Sequence, residues 1–362
     1  MNEDNGKISV RQAMLLCIII FCSPIIRYIP YMTVKEAKEA AWLCPLIVLI
    51  VAFIDILVWC EFLKKYEKKS FIEIIKDILG KILGNIVCIT YFLWITLLAA
   101  FYLRMYAERL VSTTMPHVDI ILIILAMLIT VVYVLKDGII PLARMNEIFF
   151  LTLIGIFIFY CILALPEMNI KYLFPITYKD IFPIFKGSIP ILTIFSYSIM
   201  IFILNDKINH KGEFKKLSII TVIILTILFL FSIIIPLGVF SAPILVKMPL
   251  PFISAMMQVS IFDIIERIEG GIIMFWVISD FMLIAIFSYT AIHMLRISFN
   301  LSNVKPLLII YILVIFLLSL ALAKSSLELS ALSEHLFTQW NIIMGFVIPL
   351  IVFFVGKIRK KV

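Results

Sequence analysis

Long apolar runs alternate with short polar connectors along almost the whole chain. A hydrocarbon core about 30 Å thick needs roughly 20 apolar residues of helix to cross it. Ten runs meet that need, at approximately 9–31, 41–63, 84–111, 118–135, 143–165, 184–204, 217–241, 270–296, 304–323 and 336–356. None alternates apolar and polar residues as a barrel strand would, so the pattern predicts helices throughout. Two runs are interrupted. The first breaks at Phe21-Cys22-Ser23-Pro24, with Arg27 just beyond. The sixth opens with Lys186-Gly187-Ser188-Ile189-Pro190 and softens again at Ser196-Tyr197-Ser198. Broken spans in corresponding places of two halves point to a binding site near the membrane midplane. Segment 71–84 is too charged to span. Its Ile72, Ile75, Leu79, Ile82 and Leu83 share one helical face, which predicts either an amphipathic helix on the inner membrane surface or an ordinary loop helix.

Composition agrees with the pattern. Of 362 residues, 64% are apolar and 15% charged, and the mean hydropathy is +1.16. Soluble domains sit near half apolar and a quarter charged, so the chain is an integral membrane protein. Six cysteines are scattered through the apolar runs without C-x-x-C spacing, which predicts neither disulfides nor a metal site. No small-residue cleavage site follows the first run, so it reads as a retained helix. The net charge of +8 first suggests nucleic acid, but its placement does not. With the N-terminus inside, 20 of the 31 lysines and arginines fall on the inner side. The basic excess then faces anionic membrane lipids, and both termini are expected in the cytoplasm.

The order of features resembles the B subunits of spore germinant receptors (GerAB-type), within the amino acid–polyamine–organocation superfamily. Lys7-Ile8-Ser9-Val10-Arg11-Gln12 opens the resemblance and Ala41-Trp42-Leu43 begins the second span. Gly80-Lys81-Ile82-Leu83-Gly84 precedes the third span. Asp137-Gly138 and Leu142-Ala143-Arg144-Met145-Asn146-Glu147 join the fourth and fifth. Phe262-Asp263-Ile264-Ile265-Glu266-Arg267-Ile268-Glu269, then Trp276, leads into the eighth. Each motif is short; the specificity lies in their order across ten spans. The resemblance implies an all-α, LeuT-like five-plus-five inverted repeat in one polytopic domain over 1–362. Repeat one would cover about 9–165 and repeat two about 184–356, with helices one and six broken. It also implies an inner spore membrane location and two partners, an A-type membrane subunit and a C-type lipoprotein. The family usually places glycine in the first break, where this chain has Cys22-Ser23-Pro24.

Free N–H groups at a broken helix can hold a carboxylate. Ser23 and Pro24 in the first break, Arg27 beyond it, and Phe195, Ser196, Tyr197 and Ser198 in the sixth span are the candidate ligand residues. The competing reading is a plain kink, with serines bonded back to their own helix. Intramembrane charge is costly and usually functional. Asp280, beside Ser279 in the eighth span, is therefore a candidate proton acceptor or cation ligand, against a structural hydrogen bond. Asp55 reads as a structural carboxyl. Arg104 and Glu108, four apart, read as a gate or as interfacial side chains. Glu266 and Arg267 read as a hinge, a partner interface or an interfacial cap. The four histidines stand alone, and no phosphate loop or nucleophile–base pair is visible, so no cofactor and no enzymatic activity are expected. The expected function is sensing of a nutrient germinant, most simply an amino acid. The alternatives are a proton-coupled amino-acid permease and a germinant-opened conduit.

Overall fold

A computed structural model describes residues 6–209, 211–248, 250–258, 269–299, 301, 305–323 and 325–362. The helices in chain order are α1 Val10–Arg27, α2 Ile29–Ala37, α3 Cys44–Lys65, α4 Phe71–Leu79, α5 Lys81–Thr113, α6 Ile120–Leu135 and α7 Ile139–Ala164. They continue with α8 Ile181–Phe195, α9 Ile199–Ile203, α10 Phe214–Phe240, α11 Ala242–Leu245, α12 Pro251–Met257, α13 Glu269–Phe299 and α14 Lys305–Ala321. The last span is built from α15 Ser326–Leu332, α16 Thr338–Ile342 and α17 Ile348–Ile358, separated by π-helical turns at Ser333–Phe337 and Ile343–Val347. Among the described residues, eight helical stretches are long and apolar enough to cross a membrane. The expected fourth and ninth spans are the shorter α6 and α14, of 16 and 17 residues. At 1.5 Å per residue α6 is about 24 Å long, which calls for local bilayer thinning or flanking turns.

Both interrupted spans are interrupted in the fold, one of them elsewhere than expected. The sixth span leaves α-geometry at Ser196–Ser198, a single 3₁₀ turn between α8 and α9. The first span passes helically through Cys22-Ser23-Pro24 and is interrupted instead at Tyr28. Pro24 removes one donor, yet the turn around it is buried on every side, from Ile18 to Arg27. The packing holds it helical despite the lost bond. A second proline, Pro30, at the start of α2 then removes another donor, and the interruption settles between the two.

The amphipathic segment is also shorter than the pattern suggests. Ser70 and Glu73 cap α4 reciprocally, and Phe71, Ile72, Ile75 and Ile78 are fully buried against the bundle. Gly80, at φ 88°, turns the chain into α5. Ile82 and Leu83 therefore belong to the next span and are exposed at its flank, off the buried face of α4.

Both ends of the described chain lie on one face of the bundle. Ile8–Ser9 pairs in parallel with Ile208–Asn209, beyond the sixth span. At the other terminus, Arg359 Nη1 donates to Ile78 O at 2.6 Å and Lys361 Nζ to Asp77 O at 2.6 Å. These cations satisfy the last carbonyls of α4, where the helix dipole is negative. Tyr66 Oη donates to Asp77 Oδ2 at 2.6 Å. That bond and Lys361 hold the Asp77 carboxyl below its ordinary value of 3.8. A lowered carboxyl pKa means stability that is present above pH 3.8 and lost as pH falls through the depressed value. Thermal unfolding across pH 2–6 should therefore show an acid-side loss that Asp77→Asn reduces. The side chain is well exposed, which keeps the loss below about 1 kcal/mol.

Candidate functional site

The interruption of the first span at Tyr28 faces α5, α8 and the last span, and several buried polar side chains lie around it. Ser23 Oγ donates to Asp280 Oδ1, joining the first and eighth spans. Asp280 is 0% exposed. Its second oxygen faces Arg109 Nη1 of α5 at 3.4 Å, and the Arg109 guanidinium lies over the Trp276 ring at 5.0 Å. Asp280 is thus held by two neighbouring spans at once.

Four residues of α1 away from Ser23, Arg27 lies over the rings of Tyr28 and Tyr102 at 4.8 and 5.1 Å. Tyr102 Oη meets Tyr197 Oη at 3.0 Å, within the 3₁₀ turn of the sixth span. Asn341 Nδ2 of the last span donates to Tyr197 Oη at 3.1 Å, and Trp94 Nε1 donates to Asn341 Oδ1 at 2.8 Å. A hydrogen-bonded chain therefore links spans three, six and ten at the second interruption. Behind it, Ser196 packs so tightly on the last span that a Cβ at Gly345 would lie 2.2 Å from Ser196 Cβ.

A cavity of about 450 Å³ opens beside Arg27 and Arg109, toward the face opposite the termini. Glu108 lies in its wall and pairs with Arg104 at 2.7 Å.

The expected ligand residues do not all converge. Ser23, Arg27 and Tyr197 lie around this centre. Ser196 Oγ bonds back to Thr193 O at 2.6 Å, and Ser279 Oγ bonds back to Trp276 O at 3.2 Å. Phe195 turns toward Phe21 and Phe346, at 5.6 and 6.5 Å. With Ser198 it lines a separate small cavity of about 40 Å³ near Asp55. Pro24 sits inside α1. Glu266 and Arg267 lie outside the described residues. Arg109, Tyr102, Asn341 and Trp94 carry the centre without standing out as ligand residues in the sequence. The visible signal was polarity inside an apolar run, as at Asn341. Among the described residues no three His, Cys, Asp or Glu side chains come together to hold a metal ion.

The arrangement matches solved transporters in fold. MhsT, solved in complex with L-phenylalanine, aligns with a TM-score of 0.63 at 11% identity, covering 94% of this chain and 87% of that one. A Na+-coupled sialic acid symporter aligns at 0.60 and 15% identity, covering 94% and 80%. The fold is the all-α, LeuT-like membrane fold. Curated relatives extend the match along the sequence. Spore germination protein YndE of Bacillus subtilis (strain 168) is 24% identical, covering 100% of this chain and 99% of the relative. Spore germination protein KB of the same strain is 21% identical, covering 99% and 96%, and spore germination protein A2 is 26% identical, covering 83% and 81%. The family model described as "Spore germination protein" matches residues 7–327, and the chain belongs to that family.

Proposed function

We propose that this chain is the germinant-recognition subunit of a spore nutrient receptor, and that a small nutrient, most simply an amino acid, binds between the interrupted first and sixth spans. The observation that carries this is the chain Trp94–Asn341–Tyr197–Tyr102, which ties the 3₁₀ turn of span six to spans three and ten. A ligand entering beside Tyr102 exchanges its own polar groups for the Tyr102–Tyr197 contact. It thereby favours one packing of span six against span ten, and it shifts the population only as far as its affinities for the two packings differ. An A-type membrane subunit and a C-type lipoprotein would read that shift. The relatives' names support a multi-subunit assembly of this kind. The inner spore membrane, cytoplasmic termini and inverted repeats over about 9–165 and 184–356 belong to the same proposal, supported by family membership and the placement of basic residues.

Spores lacking this chain, tested against a nutrient panel, identify the nutrients it serves. For those nutrients, bulky substitutions at both Ser23 and Tyr197 should abolish binding of the labelled compound; unchanged affinity would refute the site. Tyr197→Phe is the finer test. It leaves Asn341 and Tyr102 with unpaired polar groups and should cost about 1–3 kcal/mol, read as a lowered unfolding temperature and a weakened nutrient response.

The buried Asp280, at the junction of spans one, three and eight, favours one second reading, a proton-coupled permease. Reconstituted protein should then take up amino acid under an imposed proton gradient, and Asp280→Asn should stop it. No uptake under that gradient excludes it.

A further inference from the structure

We propose that the cavity beside Arg27 takes a small carboxylate-bearing ligand, anchored by the Arg27 guanidinium; this rests on the reading that the site binds a nutrient, and it fixes the ligand's charge class. Arg27 is 3% exposed, and none of its three guanidinium nitrogens has a hydrogen-bond partner among the described residues. A buried ion without hydrogen bonds is costly, and natural structures pair such groups. The nearby carboxylates are already engaged: Asp280 with Ser23 and Arg109, Glu108 with Arg104. Among the described residues that line the cavity, Arg27, Arg109 and Lys247 stand against one carboxylate, Glu108, which is paired with Arg104. These lining residues carry an excess of positive charge, which disfavours cationic groups and favours a carboxylate.

The form of the group narrows the ligand further. The Arg27 guanidinium lies over the rings of Tyr28 and Tyr102, and its N–H donors are left for a partner. A planar fork of N–H donors matches the two oxygens of a carboxylate bidentately, as an ammonium cannot. Tyr102 is also the partner of Tyr197. A carboxylate on Arg27 would therefore sit one side chain from the interruption of span six, where binding has to be felt.

The test uses the full chain, purified in detergent at constant ionic strength with isethionate as the background anion. Thermal unfolding is followed with acetate, lactate, alanine and benzoate, each against its own amide, and with inorganic phosphate. At least one acid should raise the unfolding temperature where its amide does not. Arg27→Met should weaken that response at least about 30-fold in apparent affinity. Arg27→Lys, which keeps the charge and loses the fork, should retain part of it. Without ligand, Arg27→Met should unfold at a higher temperature than the parent, because it removes an unpaired buried charge. Acids and amides acting alike, no acid acting beyond its effect on Arg27→Met, or phosphate alone acting would each overturn the proposal. If Arg27→Met gives no folded protein, the acid–amide comparison on the parent chain decides alone. Acid-selective stabilisation in a chain that spores can lose without any germination defect sinks the sensing role and leaves the anchor standing. Nutrient-dependent germination without acid-over-amide discrimination does the reverse.

Discussion

Replacing Asp280 with alanine should cost about 3–5 kcal/mol of folding stability, enough to remove most of the protein from membranes. The size follows from what the substitution leaves behind. Asp280 is fully buried, and its carboxylate faces Arg109, itself 6% exposed at the side chain. Without it, a guanidinium remains in the bundle interior beside Trp276 without its ion-pair partner, and Ser23 loses its acceptor. The loss measures the stranded charge, not the net worth of the pair. Changing both partners, Asp280→Leu with Arg109→Met, should therefore recover the stability of the parent or exceed it. Denaturation in detergent and steady-state membrane abundance read both variants. An alanine variant as stable as the parent would mean that the ion pair does not form. The double variant, stable yet silent toward nutrient, would assign the pair to signalling instead of to folding.

Gly345→Ala should be nearly as damaging, although it adds a single methyl group. That carbon would stand 2.2 Å from Ser196 Cβ, 2.5 Å from Ser196 Cα and 3.1 Å from Ser196 O. Most of what it meets is backbone, so no rotamer change relieves the clash; the last span must back away from the interruption of span six. Overpacking in a close-packed interior costs about 1–3 kcal/mol and more where backbone has to move. The displacement would also pull Asn341 away from Tyr197, so nutrient response should fall further than stability does. Gly155→Ala is the matched control, since a Cβ there meets nothing within 4 Å. Equal behaviour of the two variants would show that close approach at Gly345 is not required.

The spans were legible in the sequence because crossing a bilayer imposes a length and an apolar composition that few other structures share. The turn at Ser196–Ser198 was legible for a related reason: three consecutive residues that are weak helix formers or crowd the preceding turn interrupt an otherwise aliphatic run. The first interruption was misplaced from Pro24 to Tyr28, because proline weakens a helix only where surrounding packing allows it to open. The centre itself was half legible. Intramembrane charge singled out Asp280, and Arg27 stood out beyond its proline. Their partners could not be read. Ser23 and Asp280 are 257 positions apart and Trp94 and Asn341 are 247 apart, so only the folded bundle decides that they meet. Nor does an apolar run announce which of its serines will satisfy their own helix, as Ser196 and Ser279 do.

The two π turns of the last span carry a consequence for how its surface is mapped. Each accommodates one more residue than an α-turn, and each α residue advances about 100° around the axis. Everything beyond Val347 is thus rotated by about 200° relative to an unbroken helix counted from Ser326. A helical wheel drawn through the whole span would assign α17 to nearly the opposite side, labelling buried Val352 and Phe353 as lipid-facing and exposed Phe354 as interior. Crosslinking or tryptophan scans of this span give a coherent face only when each segment is indexed from its own first residue.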